Sequence, residues 1–130
     1  MTRVNVGDTF IWFPPEDRRE HLFIVLTDPK KNNGNFAAFN LTKSHGGPMA
    51  LTFQIGDHPF ITRYPSDVAF GDSLVFNISK VERAISLGQA IPHVPMDHDM
   101  VKKIARKAVG HPAIPGDVEE LVKEHWGIAF

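Results

Sequence analysis

The sequence predicts an α+β fold, mainly β, in which a small β-barrel of about six strands is followed by helices. Turn-forming residues interrupt residues 8–78 roughly every eight to twelve residues, a spacing typical of short strands in a sandwich or small barrel. After residue 78, apolar residues recur at helical spacing between capping signals. We therefore expect one domain over residues 1–130, with the barrel at about 6–78 and a helical part at about 79–127.

Six runs rich in aromatic and β-branched residues predict the strands. They are TFIWF (9–13), HLFIVLT (21–27), FAAFNLT (36–42), ALTFQI (50–55), SDVAF (66–70) and SLVFNI (73–78). Pro14 and Pro15 lie between the first two runs, and two consecutive prolines disfavour a helix in that segment. Gly71 and Asp72 lie between the last two runs, where a tight hairpin is expected.

Three helices are predicted because capping residues precede, and glycines follow, segments with helical periodicity. The start and end pairs are, in chain order, Ser79 and Gly88, Asp97 and Gly110, and Asp117 and Gly127. Glu82 and Glu120 stand three residues after a capping residue, which completes two capping boxes. The basic residues between 102 and 107 fall on the polar face of the second helix.

Length and composition narrow the class of protein. The chain has 130 residues, 42% of them hydrophobic, which is enough for one compact core. It contains no cysteine, so neither disulfides nor cysteine zinc sites can form, in agreement with a reducing compartment. The first ten residues lack the apolar stretch of a signal peptide, and no run approaches the ~18 apolar residues of a membrane span. We expect a cytoplasmic protein with no membrane partner.

Seven histidines raise the question of a metal site. His93 and His98 have acidic neighbours, but their spacing matches no single helical face, and zinc needs three or four converging ligands. No metal and no other cofactor is therefore expected. In GDHPF (56–60), Asp57 beside His58 could orient the imidazole or could make an Asx-type turn, and the turn is the favoured interpretation.

The stretch FNLTKSHGG (39–47) gathers polar side chains where a predicted strand ends. One interpretation is a turn, since serine, asparagine and glycine favour turns. The other is an active site at the rim of the barrel. An unperturbed histidine titrates near pH 6.5, so His21 and His45 are suited to proton transfer, and Lys43 is suited to phosphate binding.

Five blocks of the sequence, in this order, resemble the MazF/PemK-type toxins. The blocks are GDTFIWF, HLFIVLTD, FNLTKSHGG, SDVAFGDSLVF and MDHDMVKKIARKAV, and they span roughly residues 6–109. The resemblance implies an SH3-like barrel with a C-terminal helix that forms a homodimer and is bound by a cognate acidic antitoxin. It also implies metal-independent cleavage of single-stranded RNA.

The family's functional residues carry over with one match and one departure. The family threonine after the third strand falls on Thr42. The family arginine falls on His21, and the proline that usually follows it is replaced by Leu22. Arg18 and Arg19 are close enough in sequence to replace the lost guanidinium.

RNA cleavage through the 2'-hydroxyl needs a base, an acid and groups that bind the charge developing on phosphorus. The residues expected to be catalytic are His21, Thr42, Arg19 and His45, and those expected to bind RNA or phosphate are Arg18, Lys43 and Trp12. Arg19 or His21 should lie within about 10 Å of Thr42, because their strands neighbour each other in such a barrel. The alternative is a non-catalytic barrel of the same shape that binds a protein or nucleic acid through the same rim.

Overall fold

A computed structural model of the chain describes residues 4–12 and 21–127. The strands are β1 (Thr9–Trp12), β2 (His21–Val25), β3 (Asn35–Lys43), β4 (Thr52–Phe53), β5 (Ser66–Asn77) and β6 (Ala90–His93). The helices are α1 (Ile78–Ser86), α2 (His98–Ala108) and α3 (Gly116–Trp126), and a short 3₁₀ turn covers Pro29–Lys31. The predicted α+β class is confirmed.

The six strands form one antiparallel sheet in the order β4-β5-β3-β2-β1-β6. The sheet curls into a half-barrel. Trp12 on β1 stacks on Phe76 on β5 with 5.4 Å between ring centroids, although β2 and β3 lie between those two strands in the sheet. The side that carries these two rings is therefore concave, and we call it the inner face.

Each face of the sheet is covered by different helices. On the inner face, the rings of Phe10, Phe23 and Phe76 pack with Val81 of α1. On the opposite, outer face, side chains such as Phe39 pack against α2 and α3. Strand β2 supplies both clusters because successive side chains of a strand point to opposite faces. The helical part thus packs directly on the sheet, and no helix in the described ranges is long and apolar enough to cross a membrane.

The described residues contain six strands, the number predicted, but two of the predicted strands are wrong in detail. The runs at 66–70 and 73–78 do not form a hairpin, because both pair with β3 and belong to the single strand β5. The register shifts between Ala38 and Asn40, so Gly71 and Asp72 lie in an irregularity of β5. Strand β6, in the region predicted to be helical, pairs with β1.

The predicted helix starts differ from the structure at two of three helices. The N-cap of α1 is Asn77, whose side-chain oxygen accepts the Ser79 N–H at 3.0 Å. Asp97 is the N-cap of α2, as predicted. The N-cap of α3 is Pro115, so Asp117 lies in the first turn, where a carboxylate interacts favourably with the helix dipole.

Candidate functional site

Side chains from four strands form a row on the inner face at one end of the sheet. The β1–β2 register places Trp12 opposite His21, and the β3–β5 register places Thr42 opposite Asp67. The β2–β3 register, continued by two residues, places His21 opposite Thr42. Directly opposed residues of an antiparallel pair share a face, with Cα atoms about 4.5–5.5 Å apart. We call these four residues the rim row.

The rim row lies where the apolar runs of the strands end. His21 is the first residue of β2 and Trp12 is the last of β1, and both are half-buried. Thr42 is exposed near the end of β3. The register therefore supports the expected proximity of His21 and Thr42. Arg18 and Arg19 lie outside the described residues.

Asp67 anchors the loop that follows β3. Its Oδ2 accepts the N–H groups of His45 at 3.0 Å and Gly46 at 3.2 Å, and its Oδ1 accepts the Thr52 hydroxyl at 2.5 Å. The Ser44 side chain is a further donor. Burial by itself raises the pKa of Asp67, which is 8% exposed, but these hydrogen bonds outweigh burial and hold the pKa below its ordinary value.

Two residues of the FNLTKSHGG stretch are placed differently relative to the rim row. The His45 backbone is hydrogen-bonded to Asp67, which brings His45 to the rim, and its side chain is exposed. Lys43 follows Thr42 in β3, so its side chain starts on the outer face. Its Nζ lies 5.2 Å from the ring centre of Tyr64, a cation–π geometry, so the structure does not bring Lys43 to the rim row.

Trp12 is held in place by aromatic stacking and lies near a cation. Phe76 stacks on its ring, and the Nζ of Lys80 lies 6.0 Å from the ring centre. Lys80 is exposed on α1. Sequence reasoning missed it, because a lysine on a helix surface carries no signal of its neighbours on a distant strand.

Asn40 also lies on the inner face, two residues before Thr42, and is 7% exposed. Its buried Oδ1 has no hydrogen-bond partner in the described part of the chain. Leaving a buried acceptor unsatisfied costs about 1–3 kcal/mol, so such groups are rare in native structures. Asn40 is one of the polar residues gathered in FNLTKSHGG, whereas Asp67 was missed, although it could have been noticed as a polar residue at the start of the run SDVAF.

The histidine beside the predicted Asx turn is buried in the structure. Its ring Nε2 donates to the Val94 carbonyl at 2.6 Å, and its Nδ1 accepts the Phe60 N–H at 3.1 Å, so His58 is held as the neutral Nε2–H tautomer. Burial lowers the pKa of His58; the Val94 contact opposes this, and nearby His93 adds to it. Asp57 instead accepts the N–H of Gln54, three residues earlier, at 2.7 Å, so it stabilises a turn but not the Asx-type turn that was expected, in which it would accept from a residue ahead of it.

Within residues 4–12 and 21–127, no three histidine or acidic side chains lie close enough together to hold a metal ion. Comparison with known proteins gives no match: neither a scan against protein-family models nor searches of curated proteins and solved structures find a similar chain. The resemblance to the MazF/PemK-type toxins therefore rests on the sequence blocks alone.

Proposed function

We propose that this protein is a MazF/PemK-like toxin, an SH3-like barrel that cleaves single-stranded RNA without a metal ion or other cofactor. The proposal is carried by the rim row, in which residues far apart in sequence, His21 and Thr42, are opposed on one face. The His45 loop joins the same rim through Asp67. Two imidazoles and a hydroxyl at one rim are the types of acid, base and hydrogen-bond donor that cleavage through the 2'-hydroxyl needs.

In the proposed reaction, one histidine removes the proton of the RNA 2'-hydroxyl, and the 2'-oxygen attacks phosphorus. The bond from phosphorus to the 5'-oxygen breaks, and a second histidine protonates that oxygen. The products are a 2',3'-cyclic phosphate and a 5'-hydroxyl. His21 and His45 supply the base and the acid, and the Thr42 hydroxyl donates a hydrogen bond to a phosphate oxygen.

The charges around the rim row support one placement of the RNA. The carboxylate of Asp67 repels phosphate, so the scissile phosphate lies on the His21 side of Thr42. A base stacks on Trp12, as in other sites for single strands, and the nearby Lys80 contributes positive charge. Arg18 and Arg19 keep their predicted roles in binding phosphate and replacing the family arginine.

A non-catalytic barrel that binds through the same rim is the second candidate. Two observations favour it. Histidine replaces the family arginine at position 21, and the buried Oδ1 of Asn40 is an acceptor that a bound ligand could satisfy. This candidate predicts binding of RNA or protein without any cleavage.

The deciding experiment incubates the purified protein with a broad pool of single-stranded RNA in EDTA. We expect cleavage that leaves 2',3'-cyclic phosphate ends. His21→Ala should lower the rate roughly 10²-fold or more, as loss of a general acid or base does, and Thr42→Val should lower it less. His98→Ala is the matched control, because His98 is an exposed histidine on α2, against the outer face, and it should cut at the wild-type rate. A folded wild-type protein that cuts no RNA would leave the binding candidate as the better one.

We also propose that the protein is a cytoplasmic homodimer neutralised by an acidic antitoxin. Three side chains around β6 are about half exposed or more, namely Leu87, Ile91 and Val94, and exposed apolar groups often mark a partner surface. In the described part of the chain β6 pairs with β1 alone, and Ala90 lies opposite Trp12, so this edge borders the rim. Sedimentation that shows a monomer at tens of micromolar protein would contradict the dimer.

A further inference from the structure

The reaction proposed above assigns chemical roles to His21, Thr42 and His45, whereas Asp67 only repels phosphate from its side of the rim row. We infer that Asp67 is a positioning residue, which holds the loop at Ser44–Gly46 so that His45 stands at the rim beside Thr42. The effect of Asp67 on cleavage rests on the proposed function. Its effect on the loop does not, and can be measured separately.

The carboxylate of Asp67 joins two segments that have no shared secondary structure. Thr52 of β4 donates to Oδ1, and the loop amides of His45 and Gly46 donate to Oδ2, with Ser44 as a further donor. An ionised carboxylate offers about four lone-pair sites, so these donors account for its capacity. Asp67 is therefore occupied by the protein itself and is unsuited to accept a proton from a substrate.

Within residues 4–12 and 21–127, the loop has few other contacts that could hold it. Gly46 and Gly47 have φ values of +70° and +110°, and a Cβ placed on either would meet no atom of the described residues within 4 Å. The Ser44 N–H donates to the Pro65 carbonyl at 2.9 Å, which fixes only the start of the loop. Hydrogen bonds to a charged acceptor are roughly twice as strong as neutral ones, so Asp67 is the main restraint on His45.

Asp67→Asn tests this inference, because an asparagine offers one acceptor oxygen where the carboxylate offers two. If its amide group faces the loop, donors meet donors; if it faces Thr52, whose hydroxyl can accept, the loop amides keep only a neutral acceptor in place of a charged one, so the loop is held less firmly in either orientation. We expect hydrogen exchange at the His45 and Gly46 amides to rise at least about tenfold, as expected for loss of a charged hydrogen bond. With RNA, kcat should fall about tenfold or more, because His45 is then less often in position to transfer a proton. KM should stay within about twofold, because Asp67 does not bind the RNA.

Thr52→Val is the matched variant, because it removes the other contact of the same carboxylate and leaves the loop contacts intact. Exchange at His45 and Gly46 should stay near the wild-type rate in this variant. If Asp67→Asn fails to fold, Ser44→Ala removes one donor from the same carboxylate at less cost. That variant should still raise exchange at His45 by a measurable factor.

The outcomes separate this inference from the proposed function. A wild-type protein that cuts no RNA refutes the proposed function, and the exchange rates still test the positioning role. Wild-type exchange rates in Asp67→Asn, or in Ser44→Ala where that variant replaces it, refute the positioning role even if RNA is cut. Faster exchange with an unchanged kcat also refutes it, because the loop would then move without consequence for the reaction.

Discussion

Phe76 on β5 contacts residues of β1 across the curled sheet, and removing its ring should open both the half-barrel and the rim. It is 8% exposed, and its ring centroid lies 5.2, 5.4 and 6.0 Å from those of Phe23, Trp12 and Phe10. Truncating a buried phenylalanine to alanine costs about 3–5 kcal/mol in all, and the aromatic pairs of Phe76, each worth about 0.5–1.5 kcal/mol within that total, favour its upper end. Since small proteins have about 5–15 kcal/mol of stability in all, Phe76→Ala should leave the protein marginal.

The assay is urea unfolding, followed by circular dichroism and by tryptophan emission. The chain has two tryptophans, so the substitutions are made in a Trp126→Phe background that leaves Trp12 as the reporter. In Phe76→Ala the Trp12 emission of the folded protein should shift to the red, because the ring that stacks on it at 5.4 Å is gone. The unfolding midpoint should fall in proportion to the lost stability.

Leu74→Ala is the control, because Leu74 lies two residues earlier on the same face of β5 but is 49% exposed. It should cost less than about 1 kcal/mol, as surface substitutions usually do. If Phe76→Ala destabilised the protein no more than Leu74→Ala, or left the Trp12 emission unchanged, the contact would not close the sheet and the inner face would have been misassigned.

Three further predictions concern stability. Burial lowers the pKa of His58, so as the pH falls below about 6.5 the unfolded chain binds a proton before the folded chain does. The free energy of unfolding should therefore decline as the pH falls, and urea midpoints measure that decline. The decline should persist in His125→Gln, which removes another histidine whose pKa is lowered by burial. Asn77→Ala should lower the free energy of unfolding by about 1 kcal/mol, because α1 loses its side-chain cap. Asn77→Asp should keep most of that stability, because aspartate is also a good N-cap residue. Gly34→Ala should cost more than about 1 kcal/mol, because Gly34 has φ of +88° and the new Cβ would lie 3.0 Å from a side chain of α1; a thermal midpoint equal to wild type would contradict this.

The first three strands and the helix ends could be predicted from the sequence because their signals are local. Runs rich in aromatic and β-branched residues gave β1, β2 and β3 to within a few residues. Gly127 ends α3 with φ of +64°, a left-handed conformation that favours glycine. Such signals depend only on neighbours in the chain, and tertiary contacts did not override them.

The errors at β5 and β6 arise because these strands are determined by their pairing partners, which lie far away in the sequence, and not by local signals. A Gly-Asp pair between two apolar runs is typical of a hairpin, yet both halves of β5 bind the long strand β3. Strand β6 is four residues long and contains Pro92, which local propensity disfavours in a strand. It forms because β1, about eighty residues earlier, offers a free edge.

The candidate site shows the same division between local signals and register. The alternation of side chains along a strand already separated Thr42 from Lys43, although both were assigned to one site. The burial of Asp67 could not be foreseen, because it requires β3, β4 and the 44–46 loop to meet at β5. A slip of β2 against β3 by one residue would turn the His21 imidazole to the outer face and bring Leu22 to the inner face. The chemistry proposed for the rim row therefore depends on one strand register, which the aromatic cluster of the inner face stabilises.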